Sequence, residues 1–485
     1  MQSGNPLLDH LFRRAGFGAS AADLQAVAGL SYSAAVDYLV DFEKQPDDVD
    51  SKIGLAEYVS VTSRGQFSPS TNIEDARQRW LFRMIHTRRP LQEKMALFWH
   101  NHFGVGYSKV AGTVGNVVGT KMMANKAGDT PGPQGHYELL RQMGLSKFRD
   151  LLIAVSQDPA MLWFLDGRTN TSTRPQENFG REVMELFTWG LGHYVEADVY
   201  AAARVFTGWN LRSVAENGQL AASYQEFVYR SEAHDTTAKT FTFPINGGSS
   251  TIPARSAGAG LQDGVELVLS LANHPETARR LAGKLWNFFV SELEAADPAF
   301  IEGVTDVYLR SGTDMRAVLR YILNSRWFTD PGNFNARYSW PVEYVVRTIK
   351  EMGWNGFSVD SARLPLTNMG QTLFEPPNVA GWQLGRAWFG TGQMLARMNF
   401  AATLASNQKF NLARSFSAAE RAQPEGVLDG MLKRMTPAPF APDETTELVG
   451  YLTAGGPWTG SDTQMNTKAA GLARLIAGSG EYQFM

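Results

Sequence analysis

Apolar side chains recur at spacings of three and four residues along almost the whole of this 485-residue chain. That spacing places apolar residues on one face of an α-helix, whereas a half-buried strand needs strict alternation. Only residues 224–229 and 239–243 are typical of strands, and we expect them to pair as a small hairpin. The periodicity therefore predicts a mainly α, large multi-helix globular fold with long loops and at most a small β-hairpin.

Two glycine-rich segments, residues 104–135 and 243–260, interrupt the helical pattern and are predicted to be long loops. Long loops inside a compact domain often carry function, so we expect both to form walls of a cleft. Motif-like residues become rare after residue 405. The chain is predicted to form a main helical domain, residues 1–405, and a C-terminal helical extension, residues 406–485, packed on it.

The composition excludes several kinds of chemistry. The chain has no cysteine, so disulfides and thiolate nucleophiles are excluded, and any metal must be bound by His and carboxylate side chains. Its 45 Lys and Arg residues balance 48 Asp and Glu residues, which argues against a nucleic-acid partner. No apolar run reaches the roughly 18–20 residues of a membrane span. We predict no membrane span, no bound metal and no cofactor.

One predicted helix carries the best candidates for acid–base chemistry. On a helix, Asn178, Glu182, Glu185 and Trp189 share one face, with Arg181 beside it. Two glutamates near an arginine can differ in pKa, because crowding raises one pKa and the guanidinium lowers the other. The alternative is that these Glu and Arg residues form ordinary ion pairs on a solvated surface. The Trp and Asn on the same face favour a cleft, so both glutamates and the arginine are predicted to be catalytic.

A second predicted helix ends in Trp99-His-Asn-His-Phe103. His100 lies roughly 200° around the helix from His102, so the two cannot bind one metal unless the helix unwinds. His102 shares the apolar face and is expected to be a hydrogen-bonded core residue. His100 lies near the helix C-terminus and is the predicted proton donor or substrate contact.

Three smaller features add candidate substrate contacts. Arg13 and Arg14 end the first predicted helix, where either can meet an anion or simply belong to a helix end. His234 and Asp235 are either a catalytic dyad or turn residues. Trp382 follows two prolines in a segment that cannot be helical. The predicted substrate-binding residues are Asn178, Trp99, Trp189, Trp209, His234, Asp235, Trp382 and Arg13.

Seven groups of residues occur in a fixed order along the chain: His10-Leu-Phe-Arg-Arg-Ala-Gly-Phe-Gly18, Trp99-His-Asn-His-Phe103, Asp158-Pro-Ala-Met-Leu-Trp-Phe-Leu-Asp166, Glu177-Asn-Phe-Gly-Arg-Glu-Val-Met-Glu-Leu-Phe187, Glu196-Ala-Asp-Val199 with Ala203-Arg204 and Thr207-Gly-Trp209, His234-Asp235 with Lys239, and Pro376-Pro-Asn-Val-Ala-Gly-Trp382. This ordered set resembles the bacterial domain of unknown function 1800 family, from about residue 7 to about residue 400. Departures are small: Gln176 stands where the family usually has Asn, and Thr242-Phe243 replaces a customary Leu-Gly.

The resemblance implies a compartment and a partner but no settled activity. Members of the family are typically exported bacterial proteins, often encoded beside a protein that resembles the alkaline phosphatase and sulfatase superfamily. The first residues lack a signal peptide, which by itself fits either a cytosolic protein or an exported one without its leader. The resemblance favours export to the periplasm or beyond, with the leader absent, and a phosphatase/sulfatase-like protein as a candidate partner.

We expect this chain to be a hydrolase that cleaves glycosidic bonds of a carbohydrate polymer or oligosaccharide. That chemistry needs two carboxylates, one as acid and one as nucleophile or base, and Glu182 and Glu185 have the required reach. Six of the 12 tryptophans lie in or beside the motifs and are expected to stack on sugar rings. These are Trp99, Trp163, Trp189, Trp209, Trp382 and Trp388.

Two alternatives remain open from the residues alone. The first is a metal-dependent hydrolase or oxidase, in which His100, His102 or His234 joins Asp235 and the two glutamates around an ion. The second is a non-enzymatic binding or assembly partner of a phosphatase/sulfatase-like protein. The residues identify neither the substrate nor the glutamate that acts as the acid.

Overall fold

The computed structural model describes residues 5–216, 218–245, 247–353, 356–406 and 415–485. Within these ranges the protein is mainly α, as the periodicity predicted, and its strands form two small antiparallel pairs. No helix in the described ranges is both long and apolar enough to cross a membrane. Residues 407–414, at the predicted domain boundary, lie outside the described residues.

The helices are numbered here in chain order. Those of the first half are α1 (Pro6–Arg14), α2 (Ala21–Ala26), α3 (Tyr32–Val40), α4 (Ile73–His86), α5 (Pro90–His102), α6 (Tyr107–Val114), α7 (Asn116–Ala124), α8 (His136–Met143), α9 (Phe148–Ser156), α10 (Pro159–Phe164), α11 (Glu177–Glu185) and α12 (Glu196–Val205). Those of the second half are α13 (Leu261–Ala272), α14 (Pro275–Leu285), α15 (Pro298–Arg310), α16 (Met315–Asn324), α17 (Arg326–Thr329), α18 (Pro341–Met352), α19 (Asp360–Asn368), α20 (Thr391–Ser406), α21 (Ala418–Arg421), α22 (Pro424–Met435), α23 (Pro442–Thr453), α24 (Asp462–Gln464) and α25 (Ala470–Gly478).

The strands correct the predicted hairpin. β1 (Trp209–Glu216) pairs antiparallel with β2 (Gln219–Tyr229), and β3 (Lys239–Thr240) pairs with β4 (Thr251–Ile252). The expected pairing of residues 224–229 with residues 239–243 is therefore wrong. The sequence signal that was missed is Asn-Gly at positions 217 and 218, since this dipeptide between two extended runs strongly favours a hairpin.

The predicted loop at residues 104–135 contains two helices, α6 and α7. Its glycines allow close helix packing rather than irregular structure. A Cβ at Gly119 of α7 would lie 2.8 Å from the Cα of Ala111 in α6, so only glycine permits this approach. The segment 243–260 has little regular structure among its described residues apart from β4 and one short 3-10 turn, in keeping with the prediction.

Helix α18 is a central element of the packing and contacts the C-terminal helices. The Tyr344 hydroxyl lies 3.0 Å from both the Arg397 carbonyl of α20 and the Ala477 carbonyl of α25. The buried guanidinium of Arg347 donates to the Met435 carbonyl at 2.8 Å. Residues beyond 415 therefore pack directly on the first part of the chain, while the predicted domain division stays a prediction.

Candidate functional site

Helix α11 anchors itself through one face and presents the predicted carboxylates on the other. Phe179 and Val183 are buried in the core, whereas Glu182 and Glu185 are half-buried and Asn178 is exposed. The spacing of three to four residues produces this division, because apolar residues at that period share one side of a helix. The polar face of α11 is therefore a surface that a solute can reach.

The Glu182 carboxylate lies half-buried on this face of α11. It makes no hydrogen bond or ion pair with any described residue, and its pKa is raised by burial and by the neighbouring carboxylate of Glu185. Arg181, which opposes this rise, binds other acids: its Nη1 donates to Glu196 at 3.1 Å and its Nη2 donates to Glu177 at 3.4 Å. A raised pKa on an accessible, unpaired carboxyl is the property that a general acid needs.

Glu185 has a different environment although it is only three residues away. Its carboxylate accepts a hydrogen bond from the Tyr194 hydroxyl, and it attracts the guanidinium of Arg280 on α14. Burial and Glu185 raise the pKa of Tyr194 to about 12, so this hydroxyl remains the donor. The two glutamates therefore lie in different environments: among the described residues Glu182 has no bonding partner, and Glu185 is held by the Tyr194 hydroxyl rather than by Arg181.

Two cations behind this face were not identified from the sequence. Arg280 donates to the Leu186 carbonyl at 3.3 Å, and Lys284, one turn further along α14, lies 2.9 Å from Nδ1 of His102. Burial and Arg280 lower the pKa of Lys284 to about 7. The available signal was a lysine on an apolar stripe, since Leu281 and Phe288 flank Lys284 at helical spacing.

His102 connects these cations to the end of α11. Its Nε2 lies 3.1 Å from the Phe187 carbonyl, which can only accept, so Nε2 carries the proton and Nδ1 accepts from Lys284. Gly190 makes room for the arrangement. Its φ is +91°, and a Cβ there would lie 2.4 Å from Nη1 of Arg280. His102 is thus the hydrogen-bonded interior residue that its position on the apolar face predicted.

His100 faces a different part of the interior, as the angle between the two histidines requires. It is wholly buried, its ring centroid lies 5.2 Å from that of Trp80 and 5.5 Å from that of Trp382, and neither ring nitrogen has a hydrogen-bond partner among described residues. Burial lowers its pKa to about 3. No described contact joins His100 to Glu182 or Glu185, so the structure does not place it with the predicted catalytic carboxylates.

The four tryptophans that were predicted to bind substrate are buried: Trp99, Trp189, Trp209 and Trp382. Helix α11 ends at Glu185, so Trp189 turns inward and packs on Phe243 and His274 instead of continuing the polar face. This corrects the expectation that these rings form a stacking surface. Of the six tryptophans in or beside the motifs, Trp388 is also buried, and half-buried Trp163 lies 4.3 Å from the Arg168 guanidinium.

His234 and Asp235 do not form a dyad with each other. His234 is buried and bonds the Thr207 carbonyl at 2.8 Å and Asp263 at 3.2 Å. Asp235 instead accepts from Arg204 at 2.7 Å, and this hydrogen bond helps to hold the pKa of Asp235 well below its usual range. The two side chains therefore have different partners: His234 is bonded in the interior, and Asp235 is bonded to Arg204 at a half-buried position.

The remaining candidates also separate. Asn178 lies at the exposed start of α11 and donates to Asp166 at 3.3 Å, whereas Arg13 lines a cavity beside α18. The donors proposed for a metal belong to different places, with His100 in the core, His234 beside Asp263, and Glu182 at the surface. Among the described residues, no three His, Asp or Glu side chains are grouped so that they could hold one ion.

Comparison with known proteins identifies the family and nothing more specific. A family model described as a protein of unknown function (DUF1800) matches residues 10–484, well past residue 400, where the motif resemblance ends. Comparisons with curated proteins and with solved structures returned no match. Because the match covers nearly the whole chain, this protein belongs to the DUF1800 family.

Proposed function

We propose that this protein is a hydrolase that cleaves glycosidic bonds of a carbohydrate polymer or oligosaccharide through Glu182 and Glu185. The observation that carries the proposal is the contrast between the two carboxyls on the accessible face of α11. Glu182 is unpaired among the described residues and has a raised pKa, and Glu185 is held by the Tyr194 hydroxyl. Paired carboxyls in different environments are what glycosidic cleavage uses.

In this mechanism, protonated Glu182 gives its proton to the leaving glycosidic oxygen while Glu185 acts on the sugar carbon. Helix positions three residues apart separate the two Cβ atoms by about 5–6 Å. From Cβ atoms this close, the two carboxyl groups can reach the separation of about 5–5.5 Å that a retaining reaction uses. Glu185 then forms the covalent bond to the sugar, and Glu182, now ionised, activates the water that releases it.

The surroundings of α11 support a polyhydroxylated substrate. The exposed amide of Asn178, the carboxylate of Asp166 and the ammonium of Lys109, 3.9 Å from Asp166, lie together at the start of the helix. Half-buried Trp163 lies in the same segment as Asp166. Carboxylates, amides and an indole are groups that bond hydroxyls and contact sugar faces. Carbohydrate polymers outside the bacterial cytoplasm are accessible substrates if the chain is exported.

The test is a screen of polysaccharides and oligosaccharides with the full chain, followed by two variants and a control. Glu182→Gln and Glu185→Gln are each expected to lower kcat/KM at least about 100-fold, which is the usual contribution of a positioned acid or base. Glu177→Gln is the matched control, because Glu177 is on the same helix and contacts Arg181 at 3.4 Å without joining the pair. An active enzyme that tolerates both changes would refute the assignment.

An assembly role is a second candidate, supported by exposed apolar side chains that follow α11 in the chain. Leu191 is 74% exposed, and Val195 and Tyr200 are also exposed at the start of α12. These side chains suit contact with a protein, and the family resemblance suggests a phosphatase/sulfatase-like partner. If the protein has an assembly role, Leu191→Asp should abolish co-purification with that partner and Glu182→Gln should not. If it is a hydrolase, Glu182→Gln should abolish activity and Leu191→Asp should not.

A further inference from the structure

A cavity of about 400 Å³ lies where α1 and α2 meet α18 and α22. Its charged lining consists of four cationic side chains, Arg13, Lys350, Lys433 and Arg434, and three acidic ones, Asp9, Glu351 and Glu420. Leu24 and Phe416 add apolar surface. A volume of this size is typical of a small-molecule site and exceeds what a single inorganic ion fills.

Arg13 is the unusual member of the lining. Its side chain is only 5% exposed, it makes no hydrogen bond or ion pair with any described residue, and its Nε is buried without a partner. A guanidinium carries five N–H donors, and a buried charge without a partner is strongly unfavourable. Native proteins retain such a group where something outside the chain completes it.

The neighbouring charges are already engaged with one another. Lys350 lies 2.9 Å from Asp23, and Arg434 donates to the Ser415 hydroxyl at 2.8 Å. Glu351 accepts from Arg347 at 2.9 Å and from the Tyr482 hydroxyl at 2.6 Å. Glu351 is the acid that attracts the charge of Arg13 most strongly, but no hydrogen bond joins the two side chains. Asp9 adds a weaker attraction.

Gly18 holds the segment after α1 against α18. Its φ is +79°, and a Cβ there would lie 3.3 Å from both Cγ of Arg347 and Oε1 of Glu351. Arg14 points the other way and donates to the Val290 carbonyl at 2.8 Å. The two adjacent arginines thus have different surroundings: Arg14 is hydrogen-bonded in the interior, and Arg13 lines the cavity.

We propose that this cavity binds the oxyanion group of a small organic molecule, a carboxylate or a phosphate ester, through Arg13. The planar guanidinium fork matches two oxygens of either group, while Leu24 and Phe416 contact the apolar part of the ligand. Lys433, exposed at the rim, adds attraction. The site is independent of the proposed hydrolase, since no described contact joins Arg13 to α11.

The experiment measures thermal unfolding and calorimetric binding of the full chain with phenyl phosphate, benzoate and inorganic phosphate, against chloride at equal ionic strength. At least one organic anion is expected to raise Tm saturably. A response to phenyl phosphate alone assigns a phosphate ester, and a response to benzoate alone assigns a carboxylate. If no probe raises Tm beyond chloride, or only inorganic phosphate does so, the proposal of an organic oxyanion is overturned.

Arg13→Met separates a binding role from a structural one. It is expected to weaken anion binding at least about tenfold and, without anion, to raise Tm by about 1–3 °C, because it removes a buried charge that has no bonding partner among the described residues. The control Arg310→Met replaces a guanidinium that is 81% exposed on α15 and should change neither quantity. An unchanged anion response in Arg13→Met overturns the proposal. If that variant fails to fold, Lys433→Met decides instead: binding weakened about two- to threefold supports the site, and unchanged binding overturns it.

Discussion

The polar face of α11 and the buried cluster around Asp263 contain similar residue types in opposite states. In the buried cluster, Lys239 donates to Asp263 at 2.6 Å, His234 bonds the same carboxylate at 3.2 Å, and Arg255 reaches it at 3.1 Å. On α11, Glu182 has no bonding partner among described residues. One carboxylate is fully paired in the interior, and the other is unpaired at an accessible surface.

The difference shows that a cluster of titratable residues in the sequence indicates a catalytic site only when the fold leaves those side chains unpaired and accessible to a substrate. The three side chains His234, Lys239 and Asp263 satisfy one another, and buried polar groups in that state stabilise and specify the fold. An unpaired, half-buried carboxyl costs stability and is retained at functional sites. The contrast can be measured through the contribution of each group to the free energy of unfolding.

The largest effect is expected for Asp263→Ala. This change leaves the buried ammonium of Lys239 and the imidazole of His234 without their shared carboxylate, and breaking a buried pair typically costs about 3–5 kcal/mol. Urea denaturation at pH 7 measures the loss. Glu182→Ala is the matched control, since it removes a carboxylate that bonds no described residue, and it should change stability by less than about 1 kcal/mol. Equal losses in the two variants would contradict the contrast.

The next effect concerns Lys284, behind the α11 face. Its pKa is about 7 in the folded protein and about 10.4 in the unfolded chain, so the unfolded chain binds more protons between these values. Wild-type stability should therefore rise as the pH increases from 7 to 10. Lys284→Met should lack this rise and be more stable than wild type by about 2–4 kcal/mol at pH 6. Denaturant titrations at pH 6 and pH 10 measure both quantities, and parallel pH profiles would show that the lysine is not desolvated.

A smaller effect of the same kind is expected for Glu182→Gln. The raised pKa means that the folded state binds more protons than the unfolded one just above the ordinary Glu value, so wild-type stability falls as the pH rises through this window. The variant should equal wild type at pH 4 and exceed it above the window by less than about 1 kcal/mol, because solvent screens a half-exposed group. Tm measured from pH 4 to pH 8 shows this. A variant less stable than wild type at pH 8 would mean that the carboxylate has a bonding partner.

The smallest effect is expected for Tyr194→Phe, which removes the hydroxyl that donates to Glu185. A single hydrogen bond at a partly exposed position contributes about 0.5–1 kcal/mol. A double-mutant cycle with Glu185→Gln isolates this coupling by chemical denaturation. A coupling energy near zero would contradict the conclusion that the Tyr194 hydroxyl distinguishes the environment of Glu185 from that of Glu182.

Much of the α11 site could be predicted from local spacing. The pattern of Phe179 and Val183 against Glu182 and Glu185 correctly divided the helix into a buried and an accessible face. The position of Trp189 could not be predicted, because whether the helix continues past Glu185 depends on the packing of the following turn. The surroundings of His100 could not be predicted from its position in the sequence, since Trp80 and Trp382 beside it come from distant segments. For the same reason, neither the lack of hydrogen-bond partners for its ring among the described residues nor its separation from the glutamates could be predicted.

Patterns along the chain were sufficient to predict the mainly α fold, the faces of individual helices, the absence of cysteine chemistry and membership of the DUF1800 family. These are local or ordered properties of the chain. The pairing of polar groups follows from the folded arrangement of the helices, because partners such as Lys284 and His102 are 182 positions apart in the chain. Among the described residues, Glu182 and Arg13 have no bonding partner, and this too depends on which helices pack together, which helical spacing does not encode.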